Sequence, residues 1–233
     1  GEIEMVERGH SKEGLEEDIF NYAVAYDRNN REPLFYESYP GSIVDVSQLQ
    51  HTLKKAKSYG YEHIGFILDR GYFCKENIRF MDDNKYDFVI MVKGMKSLVS
   101  SLILEVQGSF ENDRRNSIRA YKVSGTTVKR KLYAGDSRER YFHIYYDDGK
   151  KAGERERFED RIDRMSRKLR DLMGEPVRPG GDYKKYFDLV FWHEGLEDEK
   201  FMSGIERADV INREIRLCGY FVIVTSAKMT AIA

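Results

Sequence analysis

The run Ile64-Gly65-Phe66-Ile67-Leu68, closed by Asp69 and followed at once by Arg70-Gly71, constrains this chain more than any other stretch. An uninterrupted apolar run of strand length fits a strand buried on both faces, and such strands belong to sheets covered by helices. The following text agrees. Cys74 to about Asn84 predicts a helix with Ile78 and Met81 facing inward, and Tyr86 to Val92 predicts a second buried strand. Strand, helix, strand is the pattern of an α/β layer, and a helical crossover implies that the two strands pair in parallel. Upstream, Asn21 to Tyr26 and Pro33 to Glu37 flank a polar turn, Asp27 to Glu32, and predict a hairpin. Asp45 to Tyr59 predicts a helix, with Val46, Leu49, Leu53 and Ala56 on one face and Gly60 at the stop.

After Lys93 the texture changes. A helix over Ser97 to Glu105 leads into polar text, with strands expected at Arg119 to Val123, Lys129 to Tyr133 and Tyr141 to Tyr146. Glu154 to Met173 predicts a long helix, in which Phe158, Ile162, Met165, Leu169 and Leu172 step at four, three, four and three residues to make a packing face, within the chain or in a dimer. Pro176 to Gly181 breaks the chain, Phe187 to Trp192 predicts a strand, and Tyr220 to Thr225 a buried strand again. The expected organisation is an α/β core over 1–93, a β-rich and helical insertion over 94–216, and re-entry into the core over 217–233.

Composition excludes several classes. The 39 Lys+Arg and 40 Asp+Glu nearly cancel, so any contact with nucleic acid must come from local basic patches. Two cysteines, Cys74 and Cys218, without C-x-x-C spacing argue against a disulfide scaffold or a cysteine zinc site. No apolar run approaches the roughly 20 residues of a membrane span, and Gly1 to His10 lacks the pattern of a signal peptide; no membrane partner and a cytoplasmic location are expected.

Asp69 is the sharpest candidate for chemistry. An acid at the carboxyl end of a strand in an α/β sheet sits where such sheets place their ligands. Gly71 permits the turn that lifts it out of the sheet. The structural alternative is an acid that caps the next turn or pairs with Arg70. Lys93 and Lys96, just past the second strand, are candidates for phosphate contact against a solvated strand exit. Lys129, Arg130 and Lys131, with Arg138 and Arg140, make a basic patch interleaved with Tyr133 and Tyr141; a solvated hairpin face is the alternative. The helix carrying Arg161 to Arg170 is basic too, with Asp160, Asp163 and Asp171 as partial balance. Cys74 reads as a helix cap rather than a reactive thiol, and Trp192, the single tryptophan, as a core residue.

Four stretches in order carry a resemblance: GHSKEG (Gly9 to Gly14), PLFYESYPGSIVD (Pro33 to Asp45), DRGYFCKENIRFM (Asp69 to Met81) and GYFVIVTS (Gly219 to Ser226). Together they resemble bacterial insertion-sequence transposases of the DDE superfamily, of the insertion-sequence-4-like kind. The resemblance implies an RNase H-like fold, a mixed sheet with flanking helices interrupted by an insertion. It also implies three acids, Asp, Asp and Glu, holding two divalent metal ions, Mg²⁺ or Mn²⁺, that serve in-line displacement at phosphorus. Asp69 matches the second acid and would be both catalytic and metal-binding. The family's first Asp lies upstream of the GHSKEG text, where this sequence offers Glu2, Glu4 and Glu7. Its third acid lies in a helix of pattern Y-x2-R-x3-E-x6-K after the GYFVIVTS-like strand, and Met229 to Ala233 resembles the opening of that helix. Asp27 and Glu194 are the remaining acids considered as stand-ins, and Asp45 reads as a helix N-cap.

The expected function is therefore that of a transposase catalytic-domain piece, incomplete at both ends and inactive alone. The alternative is a non-catalytic DNA-binding or interaction remnant. Double-stranded DNA, the transposon ends, is the expected partner. A homodimer is expected as well, because a hairpin lacking its neighbouring strand exposes a sheet edge that pairs with other chains.

Overall fold

A computed structural model of the protein describes residues 6–10, 16–40, 45–61 and 65–232, and the chain divides into two units. The first comprises Gly1–Gly94 with Ile223–Lys228, the second Met95–Val222 with Met229–Ala233. Both mix helices with strands, as the α/β reading requires.

In the first unit, β1 (Glu7–His10), β2 (Glu16–Asp27) and β3 (Glu32–Pro40) form an antiparallel sheet in that order. The expected hairpin is present and longer than the text suggested; β1 was not anticipated. Asp27 builds its turn, with Oδ1 accepting from the backbone N–H of Asn29 at 2.8 Å and of Asn30 at 3.2 Å. Along β2 the period-two pattern leaves Phe20, Tyr22, Val24 and Tyr26 exposed on one face, and Tyr22 stacks on Tyr36 across the sheet at 5.5 Å.

α1 (Asp45–Ser58) buries Leu49, Leu53 and Ala56 and ends before Gly60, whose φ of +85° suits a residue without a side chain. The side chains of Asp45 and Val46, and hence the N-cap reading, lie outside the described residues. α1 holds the hairpin through one acid on β3. Glu37 Oε1 lies 3.2 Å from both Lys55 Nζ and His51 Nδ1, and Oε2 accepts from Thr52 Oγ1 at 3.3 Å. Burial would raise the Glu37 carboxyl, but the Lys55 ammonium and His51 outweigh it and hold it below the usual glutamate value.

β4 (Gly65–Leu68), α2 (Lys75–Asp83) and β5 (Asp87–Met91) then give the expected crossover. β4 and β5 pair in parallel, with Gly65 opposite Asp87 and Leu68 opposite Ile90. β11 (Tyr220–Thr225) returns through Ile223–Thr225 to pair antiparallel with β5 on its other side, giving the order β4-β5-β11. Ser226 fixes that return: its Oγ accepts from Phe88 N at 3.0 Å and donates to Asp87 Oδ1 at 2.9 Å. One expectation fails here. β4 is not buried on both faces: Ile67 is 65% exposed. An apolar run reports strand propensity and not what covers the strand, and among the described strands β5 is the one β4 pairs with. Ile64 lies outside the described residues.

The second unit begins with α3 (Lys96–Val106), followed by β6 (Ser117–Ile118), β7 (Val123–Arg130) and β8 (Arg140–Tyr146), paired antiparallel in the order β8-β7-β6. The strands expected at Arg119 to Val123 and Lys129 to Tyr133 are thus replaced by a single strand between them, with Arg119–Tyr121 in a 3-10 turn. Gly125, Thr126 and Thr127 carry little apolar signal. The strand passes close under Tyr145 at its glycine: a Cβ on Gly125 would stand 2.9 Å from the Tyr145 ring. α4 (Asp148–Asp171) starts six residues before its expected start at Glu154, because Asp147 Oδ1 caps it by accepting from Lys150 N at 3.0 Å. Its apolar stripe packs within the unit. Ile162, Met165 and Leu169 join Tyr186, Phe187, Phe201 and Ile211 from α5 (Asp182–Tyr186), β9 (Phe187–Trp192), β10 (Lys200–Glu206) and α6 (Ala208–Leu217). β10 and α6 were not anticipated.

Met229 to Ile232 do not open a helix. Ala231 instead lies on the strands, donating its N–H to Thr127 Oγ1 at 2.8 Å and accepting from Tyr145 Oη at 3.0 Å. Gly219, at the entry to β11, sits with φ +88° against the first turn of α4.

Two stability predictions follow from these contacts. Glu37→Gln costs about 1–3 kcal/mol at pH 7, the loss of a charged hydrogen-bonding partner. A folded-state carboxyl held low contributes stability above the unfolded value, and that contribution is lost as pH falls. The melting-temperature gap between wild type and variant therefore closes as pH falls from 5 toward 3, and a gap independent of pH would contradict the latch. Gly219→Ala places a Cβ 2.7 Å from Lys151 Cβ and 2.9 Å from Asp147 O, in a backbone conformation that disfavours it. Urea denaturation should show a loss of about 1–3 kcal/mol or more.

Candidate functional site

Asp69 follows β4 directly and points out of the end of the strand. It is exposed, with φ −63° and ψ 150°, and its Oδ1 accepts the N–H of Gly71 at 2.8 Å to cap the 3-10 turn Arg70–Tyr72. The capping reading is therefore real, and it uses one carboxylate oxygen. Oδ2 has no hydrogen-bond partner among the described residues. The register of β4 against β5 puts Asp69 and Lys93 at the same carboxyl edge, the edge where parallel α/β strands present their ligands.

The turn after Asp69 is anchored from below. Asn77 on α2 is 1% exposed, donates through Nδ2 to Tyr72 O at 3.0 Å, and accepts from Gln50 Nε2 of α1 at 3.4 Å. A buried amide so engaged holds the Asp69 turn onto both helices. Nothing singled Asn77 out in the sequence; a polar residue on the inward face of a short amphipathic helix was the available signal. Cys74 caps α2 as expected, with Sγ accepting from Asn77 N at 3.3 Å. Burial pushes its thiol up, away from the thiolate that a nucleophile needs.

The other candidates are distributed. Lys93 and Lys96 are exposed and carry no ion pair among the described residues. Lys129 is paired with Glu139 at 3.5 Å and lies over the Tyr141 ring, Arg130 is paired with Glu105 at 2.6 Å, Arg140 is buried, and Lys131 and Arg138 are exposed with no ion pair among the described residues. Asp27 is consumed by its turn. Glu194 lies in the β9–β10 turn, 3.9 Å from Arg178. Trp192 overturns its expected place in the core: it is 49% exposed on the outer face of the β9–β10 pair and stacks on His193 at 3.6 Å. Phe191, one residue earlier, faces Phe201 instead, so strand parity put the tryptophan outside. The second unit also has a cleft of about 460 Å³, lined by Glu111, Asp113, Arg114, Arg119, Lys122 and Asp148 among others, that sequence reading missed.

Compared with known families, residues 3–172 match the family described as Transposase DDE domain. The chain belongs to that family. No curated protein and no solved structure matches the chain. Membership makes this a DNA-cleaving and strand-transferring kind of domain, and its mixed α/β architecture is in keeping with an RNase H-like transposase core. The DDE family uses divalent metal ions. Among the described residues, no group of three or more His, Cys, Asp or Glu side chains can hold one. Asp69 supplies a single carboxylate with one oxygen engaged, whereas Mg²⁺ takes about six oxygen ligands. The described residues by themselves do not fit the two-metal site that the resemblance implies. No described helix is long and apolar enough to cross a membrane.

The cap at Cys74 gives a direct test of the scaffold around Asp69. Cys74→Ser keeps an acceptor and should hold stability within about 0.5 kcal/mol, while Cys74→Ala loses about 1 kcal/mol in urea denaturation. Equal stability of the two variants would remove the cap from the account.

Proposed function

We propose that this chain is the catalytic-domain portion of an insertion-sequence transposase, of the insertion-sequence-4-like kind, in which Asp69 is one of the metal-binding acids. One observation carries the reading: within a DDE-family chain, Asp69 stands exposed at the carboxyl edge of a parallel strand pair, with its turn anchored by a buried amide. Its proposed role is to hold a divalent ion, Mg²⁺ or Mn²⁺, together with acids that the described residues do not assemble around it. In this reading the chain alone is proposed to be inactive in DNA cleavage. The second unit corresponds in this reading to the insertion, and the first to the core. The proposed partner is double-stranded DNA at transposon ends, in the cytoplasm, with Lys93, Lys96 and Lys131 free to meet phosphates and Lys129 and Arg130 available only at the cost of existing ion pairs. Self-association is proposed through the β1–β3 sheet, whose exposed Phe20, Tyr22, Val24, Tyr26 and Tyr36 form an apolar face.

The test is nicking of supercoiled plasmid in Mg²⁺ or Mn²⁺ by the 233-residue chain and by Asp69→Asn, which retains an acceptor for Gly71 N–H. Neither should nick. Nicking by the wild type that Asp69→Asn abolishes would contradict inactivity while supporting the role of Asp69. Metal-dependent nicking that survives in the variant would remove Asp69 from the site. Sedimentation of wild type against Tyr22→Ser/Tyr36→Ser tests association: the wild type should shift with concentration and the variant should not.

A further inference from the structure

Part of the positive charge of α4 runs along one ridge, while Lys151, Arg155, Arg167 and Arg170 lie on other sides of the helix. At about 100° per residue, Arg157, Arg161, Arg164 and Lys168, spaced four, three and four apart, fall within roughly 60° of arc. They lie directly beside the apolar stripe that packs into the second unit. Glu156, Glu159 and Asp163 fall on other sides of the helix, while Asp160 and Asp171 flank the ridge and form no ion pair with it among the described residues. Arg157, Arg164 and Lys168 are exposed and make no ion pair or hydrogen bond among the described residues. Arg161 is fixed in place by a salt bridge to Asp182 and by the Tyr186 ring, 5.7 Å away.

A solvated helix face does not need this arrangement. Like charges three and four residues apart destabilise a helix, and opposite charges at the same spacing stabilise it. The same helix uses the stabilising solution elsewhere, pairing Lys150 with Glu154 and Arg155 with Glu159. Along the ridge basic residues follow one another at these spacings, and the flanking Asp160 and Asp171 form no ion pair with them among the described residues. Repulsion maintained along a line is offset when a linear polyanion lies against it. From Arg157 to Lys168 the ridge runs roughly 16 Å, which covers about five base-pair steps of one DNA strand.

We propose that this ridge of α4 is the surface on which the second unit seats the phosphate backbone of duplex DNA, in preference to the β7–β8 patch, where Lys129 and Arg130 are already paired and Arg140 is buried. The inference rests on the DNA-partner reading above and names the residues that make the contact.

The test is the salt dependence of binding to a fluorescein-labelled 30-base-pair duplex of random sequence, followed by anisotropy on the full chain. Each phosphate contact contributes about 0.9 to the slope of log K against log salt. Arg157→Gln/Arg164→Gln/Lys168→Gln should reduce that slope by about 2.7 and weaken binding at least ten-fold at 0.1 M salt. Arg157→Lys/Arg164→Lys should keep the wild-type slope, which separates charge from folding; circular dichroism checks that α4 is intact. Lys129→Gln/Arg130→Gln/Lys131→Gln should change the slope by about 1 or less. A ridge variant that binds with the wild-type slope overturns the ridge and leaves the DNA reading standing. A wild type that does not bind duplex at 50 mM salt overturns both. Tighter binding of an RNA hairpin than of the duplex overturns the assignment to DNA.

Discussion

The parallel pairing of β4 with β5 is the constraint on which the first unit depends. Parallel neighbours cannot be joined by a tight turn, so the chain must leave the carboxyl end of β4, cross over, and enter β5 from the other end. That single requirement puts Asp69 at an exposed edge, makes α2 the crossover, and places Lys93 at the same edge as Asp69. The crossover is held by Asn77, which ties the turn after Asp69 to α1 and α2. β5 is fixed on its far side by Ile223–Thr225 and by Ser226, which uses its hydroxyl both to accept from Phe88 and to donate to Asp87. Each contact is modest. Together they fix the turn that carries Asp69, whose exposed carboxylate has one oxygen engaged by Gly71.

Much of this was legible in the sequence, for a physical reason. α1, α2, β5 and β11 have strong periodic or continuous apolar patterns, and each appears within a residue or two of its expected bounds. The exposure of Ile67 was not legible, because burial of a strand is decided by what packs on it. β7 was mislaid because Gly125, Thr126 and Thr127 carry little apolar signal, and the close approach of the Tyr145 ring to Gly125 leaves no trace in local propensity. α4 began early because Asp147 and Asp148 look like loop acids until one of them is seen capping the helix. β10 was missed because Ser203 and Gly204 dilute its apolar character; a Cβ on Gly204 would stand 2.6 Å from Leu169 Cδ1.

The candidate site divides in the same way. Asp69 and Cys74 could be read from local text, one as a strand-end acid and the other as a cap, and both hold those positions. The fate of the basic residues could not be read, since ion pairs such as Arg130–Glu105 join residues 25 apart in sequence. Trp192 was misplaced by composition: a lone tryptophan suggests a core, while strand parity in β9 turns it outward. α4 combines both cases. Its apolar steps predicted a packing face, and that face packs within the unit. The basic ridge beside it became distinguishable from a mixed charged surface only when the side chains showed which charges are paired.

The direction of β4 relative to β5 places Asp69 at the carboxyl edge, and interstrand nuclear Overhauser contacts measure that direction without reference to activity. The predicted contacts run in the same sense along both strands: Gly65 with Asp87, Phe66 with Phe88, Ile67 with Val89 and Leu68 with Ile90. Contacts running in opposite senses, Gly65 with Ile90 and Leu68 with Asp87, would remove Asp69 from the carboxyl edge and contradict the account.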